Sequence, residues 1–228
     1  MSQGAGTFKL AVIIPVSGEE PLLPALLTIL NRFFELNALA FEILVVTAPN
    51  TSLPEIDCTI IQSAKNSRAH QMNLGAQDID ADYLWFVHAD STLTKELCTK
   101  VHEIVTTEVK ASRKIYFFDL AFDAASPFMC RLNAFSANIR AKYFATPFGD
   151  QSYLMTRDTF LGLGGFPESF FSGEDHAFIQ KAKEKNIQVI SANETIITSG
   201  RKYSREGWLK TTLLHIYLTL KQEIKGRD

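Results

Sequence analysis

The chain predicts an α/β domain with a mostly parallel central sheet flanked by helices. Three observations carry that prediction. Apolar runs recur over residues 10–15, 41–47 and 83–88, and helix-period segments lie between them. Each run is apolar at both parities, so both faces of the strand are buried, as in a parallel sheet covered on two sides. Strand and helix then alternate through the first half of the chain, which calls for right-handed crossovers.

After the first strand, Pro21 suits a first helical position, and Leu22, Leu26, Ile29, Leu30 and Phe33 share one face. Residues 59–62 are a shorter fourth strand candidate. Residues 66–78 read as a polar helix and 94–109 as a third helix. The second half gives a strand over 114–122, a helix over 127–144 and a strand over 152–156. A short helix from Arg157 runs into Gly162, Gly164 and Gly165, a turn that needs unusual dihedrals. Residues 174–185 form a helix, 187–190 and 195–198 two short strands, and 206–225 a closing helix. No repeat or Pro/Ser-rich linker interrupts the chain, so a single domain over 1–228 is expected.

Apolar residues at 46% and charged residues at 21% fit a soluble globular protein, and a net charge of −2 points away from nucleic acid. Cys58, Cys98 and Cys130 are widely spaced, so neither a zinc site nor a disulfide framework is expected. No apolar run reaches the roughly 20 residues of a spanning helix. The first residues show no basic segment followed by an apolar core. The expected location is the cytoplasm.

The most informative stretch is YLWFVHADST, where the apolar run ends in His88-Ala89-Asp90. Ligands of parallel sheets bind at the carboxyl ends of strands, where His88 and Asp90 share one side of the chain. A carboxylate there can hold a divalent cation over a phosphate, although a plain surface turn would look the same. The turn after the first strand, VSGEE, carries neither GxGxxG nor GxxxxGK[ST]. Glu19 or Glu20 could accept from ribose hydroxyls, or simply favour the next helix's N-terminus. Arg68 could fork onto a phosphate or stack on a base, or lie on a solvated helix face. Asp175 stands at a helix start, where the dipole favours a charged carboxylate; it could take a proton from a substrate hydroxyl, or only cap the helix. Arg201, Lys202 and Arg205 form a basic loop that could close over a diphosphate, or be solvated.

The blocks VIIPVSGEE, SRAHQMNLGA, WFVHADSTL, FGDQSYLMTRDTF, LGGFPE, GEDHAF and TSGRKYSREGWLKTTLL follow one another from Leu10 to about Gly226. Their order and spacing resemble family 2 glycosyltransferases of the GT-A fold, most closely a small bacterial group of stand-alone enzymes. The resemblance implies transfer of a sugar from a nucleotide-diphosphate donor to an acceptor hydroxyl, inverting and assisted by Mn²⁺ or Mg²⁺. Asp90 matches the metal-binding last acid of the DxD motif, and His88 stands at its first position. Asp175 matches the catalytic base, and Arg201 and Lys202 match the positions that engage the diphosphate. On the same likeness Pro15, Glu19, Arg68 and Asn73 join the donor side, and Asp150, Gln151 and Glu174 the acceptor side. Residues 8–95 would form the nucleotide-sugar half, and 96–200 the acceptor half. The family's base-reading acid after the second strand is replaced here by Thr47. The base therefore differs or is read by backbone groups, and the acceptor, small or lipid-linked, is not legible.

Two rivals stand beside this reading. HADST is like a DxDxT phosphotransferase loop, but His88 occupies the position of the aspartate nucleophile. A non-catalytic module with this fold is the second rival; Asp90, Asp175 and the basic loop speak against it. The closing helix has a wide apolar face, with Leu209, Leu213, Ile216, Tyr217, Leu220 and Ile224 aligned and lysines on its border. It would pack on the domain or a second subunit, or lie on an anionic membrane. Packing is the favoured placement.

Overall fold

Alternate residues of the first strand, β1 (Lys9–Val16), part to opposite sides of the sheet. Leu10, Val12, Ile14 and Val16 enter one apolar layer; Ala11 and Ile13 enter the other. Both layers are covered, which is why the run is apolar at every position. The structure, a computed structural model, describes residues 8–77, 79–108, 113–169, 173–201 and 203. Lys202 and the expected helix over 206–225 lie outside these residues.

One sheet holds eight strands: β1, β2 (Ala40–Thr47), β3 (Thr59–Gln62), β4 (Tyr83–Phe86), β5 (Ser91–Thr92), β6 (Lys114–Phe122), β7 (Tyr153–Thr156) and β8 (Gln188–Thr198). Their order is β3-β2-β1-β4-β7-β6-β8-β5. β1, β2, β3, β4, β6 and β8 run one way, and only β7 and β5 oppose them. Helices α1 (Leu23–Leu36) and α3 (Lys95–Thr107) cover the first side. Helices α2 (Arg68–Gln77), α5 (Arg157–Leu163) and α6 (Glu174–Glu184) cover the second. Helix α4 (Cys130–Phe144) lies against β6 with its alanines inward. Helix α2 comes close because residue 75 is glycine. A Cβ there would stand 2.8 Å from Ile13 Cγ2 and 3.0 Å from Val46 Cγ2.

Three expectations change in detail. The strands expected over 187–190 and 195–198 are one strand, β8, whose register against β6 shifts between Phe117 and Asp119. A bulge with Asn193 at φ +58 breaks the apolar alternation, so the sequence reads as two pieces. Pro24, in the first turn of α1, takes the role expected of Pro21. Finally, β4 stops at Phe86, and only the Val87 N–H reaches back to the Ile13 carbonyl. His88 is therefore already in a turn, closed by the Ser91 N–H donating to the His88 carbonyl at 3.1 Å.

Candidate active site

The strand order reverses between β1 and β4: β1 continues to β2 on one side and meets β4 on the other. Such a switch point opens a crevice at the carboxyl ends of the strands. The turns over 17–20 and 87–90 follow the carboxyl ends of β1 and β4 at this point. Pro15, in register with Val46, lies near the rim. Gln71 fastens this rim from α2, its Nε2 donating to the carbonyls of Val16 at 2.8 Å and Val46 at 2.6 Å. Glu19 is exposed, whereas its neighbour Glu20 accepts from Arg201 Nη2 at 2.5 Å. That pair is possible because β5, directly after Asp90, pairs with the end of β8 at Ser91 and Thr198. The two-residue β5 is too short to be seen in the sequence, yet it brings the Arg201 loop beside the His-Ala-Asp turn.

On the other side of β4 the antiparallel β7 sets Phe86 against Tyr153, so the loop preceding β7 arrives at the same edge. The Ser152 hydroxyl donates to the Phe86 carbonyl and ties the loop down. Asp150 Oδ1 then pairs with His88 Nδ1 at 3.0 Å. Gln151 is fully buried; its side chain accepts from the Phe148 N–H and donates to the Phe118 carbonyl, so it shapes the loop from below. The Arg140 guanidinium of α4 stacks 3.4 Å from the Phe148 ring centroid and supports the same loop.

Helix α6 delivers the remaining acids. Asp175 Oδ2 accepts from the Gly149 N–H at 2.6 Å, and Oδ1 from its neighbour His176 N–H at 2.8 Å. A Cβ on Gly149 would meet Asp175 Oδ2 at 3.1 Å and His88 Nε2 at 3.5 Å, so glycine lets both groups converge. Glu174 is only 3% exposed and is neutralised by Arg68 Nε. Arg68, Met72, Phe86, His88, Glu174 and Asp175 are among the residues lining a small pocket at this point.

The site is dominated by carboxylates. Burial raises the Asp90 carboxyl above its ordinary value; His88 opposes the shift, while Asp150 and Glu20 add to it. Burial works against the Arg68 charge, but Glu174, Asp175 and Asp150 outweigh it and hold the guanidinium more firmly protonated than usual. A carboxyl that resists ionisation among other acids is a place where a cation relieves repulsion. Among the described residues, however, no three His, Cys, Asp or Glu side chains form a cage for an ion. A hard cation at Asp90 would have to take its remaining ligands from phosphate oxygens and water, as Mg²⁺ accepts. His88 has committed Nδ1 to Asp150, leaving only Nε2 for any ligand.

Asn73 stands apart from this cluster. Its amide donates to the Phe166 carbonyl and its oxygen accepts from the Phe166 N–H, both at 2.8 Å. It fixes the LGGFPE turn, where a Cβ on Gly165 (φ +73) would meet Asn73 Oδ1 at 2.7 Å. Glu168, from the same turn, accepts from Lys65 and pairs with His70, both at 3.0 Å. The roles of Glu20 as the partner of Arg201, and of Gln71 and Arg140 as supports of the rim and loop, are not among the expectations above. Only Gln71 gives a signal, being a polar residue in the helical position that faces the two strand ends.

No family model matches the chain, and no curated protein matches it either. Solved structures do. The catalytic domain of Drosophila β1,4-galactosyltransferase 7, complexed with xylobiose, superposes with a TM-score of 0.53 at 17% identity, over 81% of this chain and 65% of that one. TarS 1–349 of S. aureus gives 0.59 at 13% identity, over 84% and 60%. Glucosyl-3-phosphoglycerate synthase from Mycobacterium tuberculosis, with Mn²⁺, UDP and phosphoglyceric acid, gives 0.57 at 10%, over 84% and 69%. The fold is GT-A. The chain spans 65% of the length of the galactosyltransferase domain.

Proposed function

We propose that the chain is a glycosyltransferase moving a sugar from a nucleotide-diphosphate donor to an acceptor hydroxyl, with inversion. The observation that carries the reading is the convergence of Asp175, the His88–Asp150 pair, Asp90 and the Glu20–Arg201 bridge on the carboxyl ends of β1 and β4. The order of motifs supports placement in family 2, and the fold neighbours support the general chemistry.

Each acid has a distinct setting. Glu174 is matched by Arg68 and Asp150 by His88, while Asp175 is oriented by two backbone N–H groups. A carboxylate held in place by two backbone amides, with Arg68 already committed to Glu174, suits a general base. Asp175 takes the acceptor hydroxyl proton as that oxygen forms a bond to the sugar's anomeric carbon. The bond from that carbon to the diphosphate oxygen breaks, and its electron pair leaves with the nucleoside diphosphate. Arg201, released from Glu20, stabilises the departing charge; Lys202, outside the described residues, is proposed for the same task. A Mn²⁺ or Mg²⁺ ion on Asp90 would supply charge neutralisation to the diphosphate. Pro15 and Glu19 are assigned to the rim of the donor cleft, and Asp150 to its acceptor side. We assign residues 8–95 to the donor half of one domain.

The test is a panel of nucleotide sugars incubated with the protein and Mn²⁺. The expected product is nucleoside diphosphate with free sugar, formed slowly by transfer to water and abolished by a chelator. Cleavage of the diphosphate itself, giving nucleoside monophosphate and sugar phosphate, would indicate phosphoryl chemistry, and no cleavage of any donor would indicate a binding module.

A further inference from the structure

Helix α4 is turned inside out. Its small residues Ala134, Ala137 and Ala141 are buried, while Leu132, Phe135, Ile139 and Tyr143 are exposed. Spaced i, i+3, i+7 and i+11, these four fall within about 80° of arc at 100° per residue. Phe128, in the turn leading into the helix, extends the stripe at 69% exposure, and Tyr143 reaches 80%. The segment from Phe128 to Phe144 supplies most of the exposed large apolar side chains among the described residues. A water-facing surface of this kind marks an interface.

Charge indicates what covers it. The helix carries Arg131 and Lys142 at its surface and no acid, while the Arg140 guanidinium is buried against Phe148. Arg131 lies 5.3 Å over the Phe128 ring. Lys183 of α6 donates to the Phe144 carbonyl and adds a cation at the far end, and Asp119 matches only Lys142. A second copy docked through the same face would bring these cations against their own equivalents. The chain's own segment 204–228 is also basic, with Arg205, Lys210, Lys221, Lys225 and Arg227 against Glu206, Glu223 and Asp228. Aromatic side chains bordered by Lys and Arg are instead the composition of a helix lying in the headgroup region of an anionic bilayer.

We propose that the exposed face of α4 seats the protein on an anionic lipid surface. The helix runs through residues 145–147 into the loop that pairs Asp150 with His88. On the glycosyl-transfer reading, which this inference does not require, the surface would lie on the acceptor side.

Co-sedimentation of the full-length protein with two vesicle types tests it: phosphatidylcholine alone, and phosphatidylcholine mixed with phosphatidylglycerol. Binding is expected only to the mixed vesicles. Replacing Phe135→Ser and Tyr143→Ser together should lower it at least about tenfold, with unchanged circular dichroism and melting temperature. Arg131→Glu should weaken binding to the mixed vesicles as well. Wild-type protein that ignores both vesicles overturns the proposal, as does undiminished binding by the double variant. A double variant that converts a wild-type dimer to monomer assigns the face to a second copy, and one that melts markedly lower assigns it to the chain's own C-terminal segment. Either result also overturns the proposal.

Discussion

Asp175 gains its position from two backbone amides, one from its own helix and one from Gly149 in the loop before β7. An asparagine would keep only one of those bonds, because its NH₂ cannot accept. Asp175→Asn is therefore expected to lose about 1 kcal/mol of stability while turnover falls on the order of 10²-fold or more. Donor binding should be spared. Steady-state rates alongside nucleotide titrations check this, and equal losses of rate and binding would make Asp175 a structural cap. A second residue-scale prediction concerns Glu168. Hydrogen bonds from Lys65 and His70, against the opposing effect of burial, lower its carboxyl from 4.5 to about 2. A carboxyl lowered on folding adds stability that is complete above its unfolded value. That stability is lost as pH falls through the folded one. Glu168→Gln should thus flatten the acid limb of the unfolding curve between pH 4.5 and about 2, leaving the limb above it parallel to wild type. An unchanged slope in that window would remove Glu168 from the clamp.

At the scale of elements, α2 meets β1 and β2 through Gly75. Substituting alanine improves helix propensity by about 0.8–1.0 kcal/mol. It also drives a methyl group into Ile13 and Val46, and overpacking of this kind costs about 1–3 kcal/mol. Gly75→Ala is expected to be net destabilising in denaturant titrations, and a stabilised variant would show that α2 has room to lift. The same elements explain how much of the molecule can be read from its sequence. The buried strands and amphipathic α1 and α3 announce themselves, because both depend on local period. Strand β5 does not, since two residues carry no period, and β8 looks like two strands because its bulge at Asn193 hides the continuity. His88 and Asp90 stand out in the sequence because they end an apolar run. A residue that acts through a distant partner gives no such sign. The Glu20–Arg201 bridge spans most of the chain, and Asn73 and Gln151 turn their amides to the backbone rather than to the cleft.

At the scale of the whole molecule, the order β3-β2-β1-β4 creates the crevice, and the reversed β7 and β5 bring the later half of the chain to its rim. Carboxylates crowd that rim, and burial, reinforced by Asp150 and Glu20, makes Asp90 ionise reluctantly. A nucleoside diphosphate, itself anionic, would enter such a site only with a cation. The measurement that tests this most directly is a thermal-shift titration of nucleoside diphosphates with and without Mn²⁺, on wild type and Asp90→Ala. At 100 times its dissociation constant a ligand adds about 2.7 kcal/mol of stability. At least one nucleoside diphosphate is expected to raise the melting temperature of wild type with Mn²⁺ and much less without it, and Asp90→Ala, folded as before, is expected to lose the gain. A Mn²⁺-independent shift, one that survives in Asp90→Ala, or no shift with any nucleoside diphosphate would contradict that expectation.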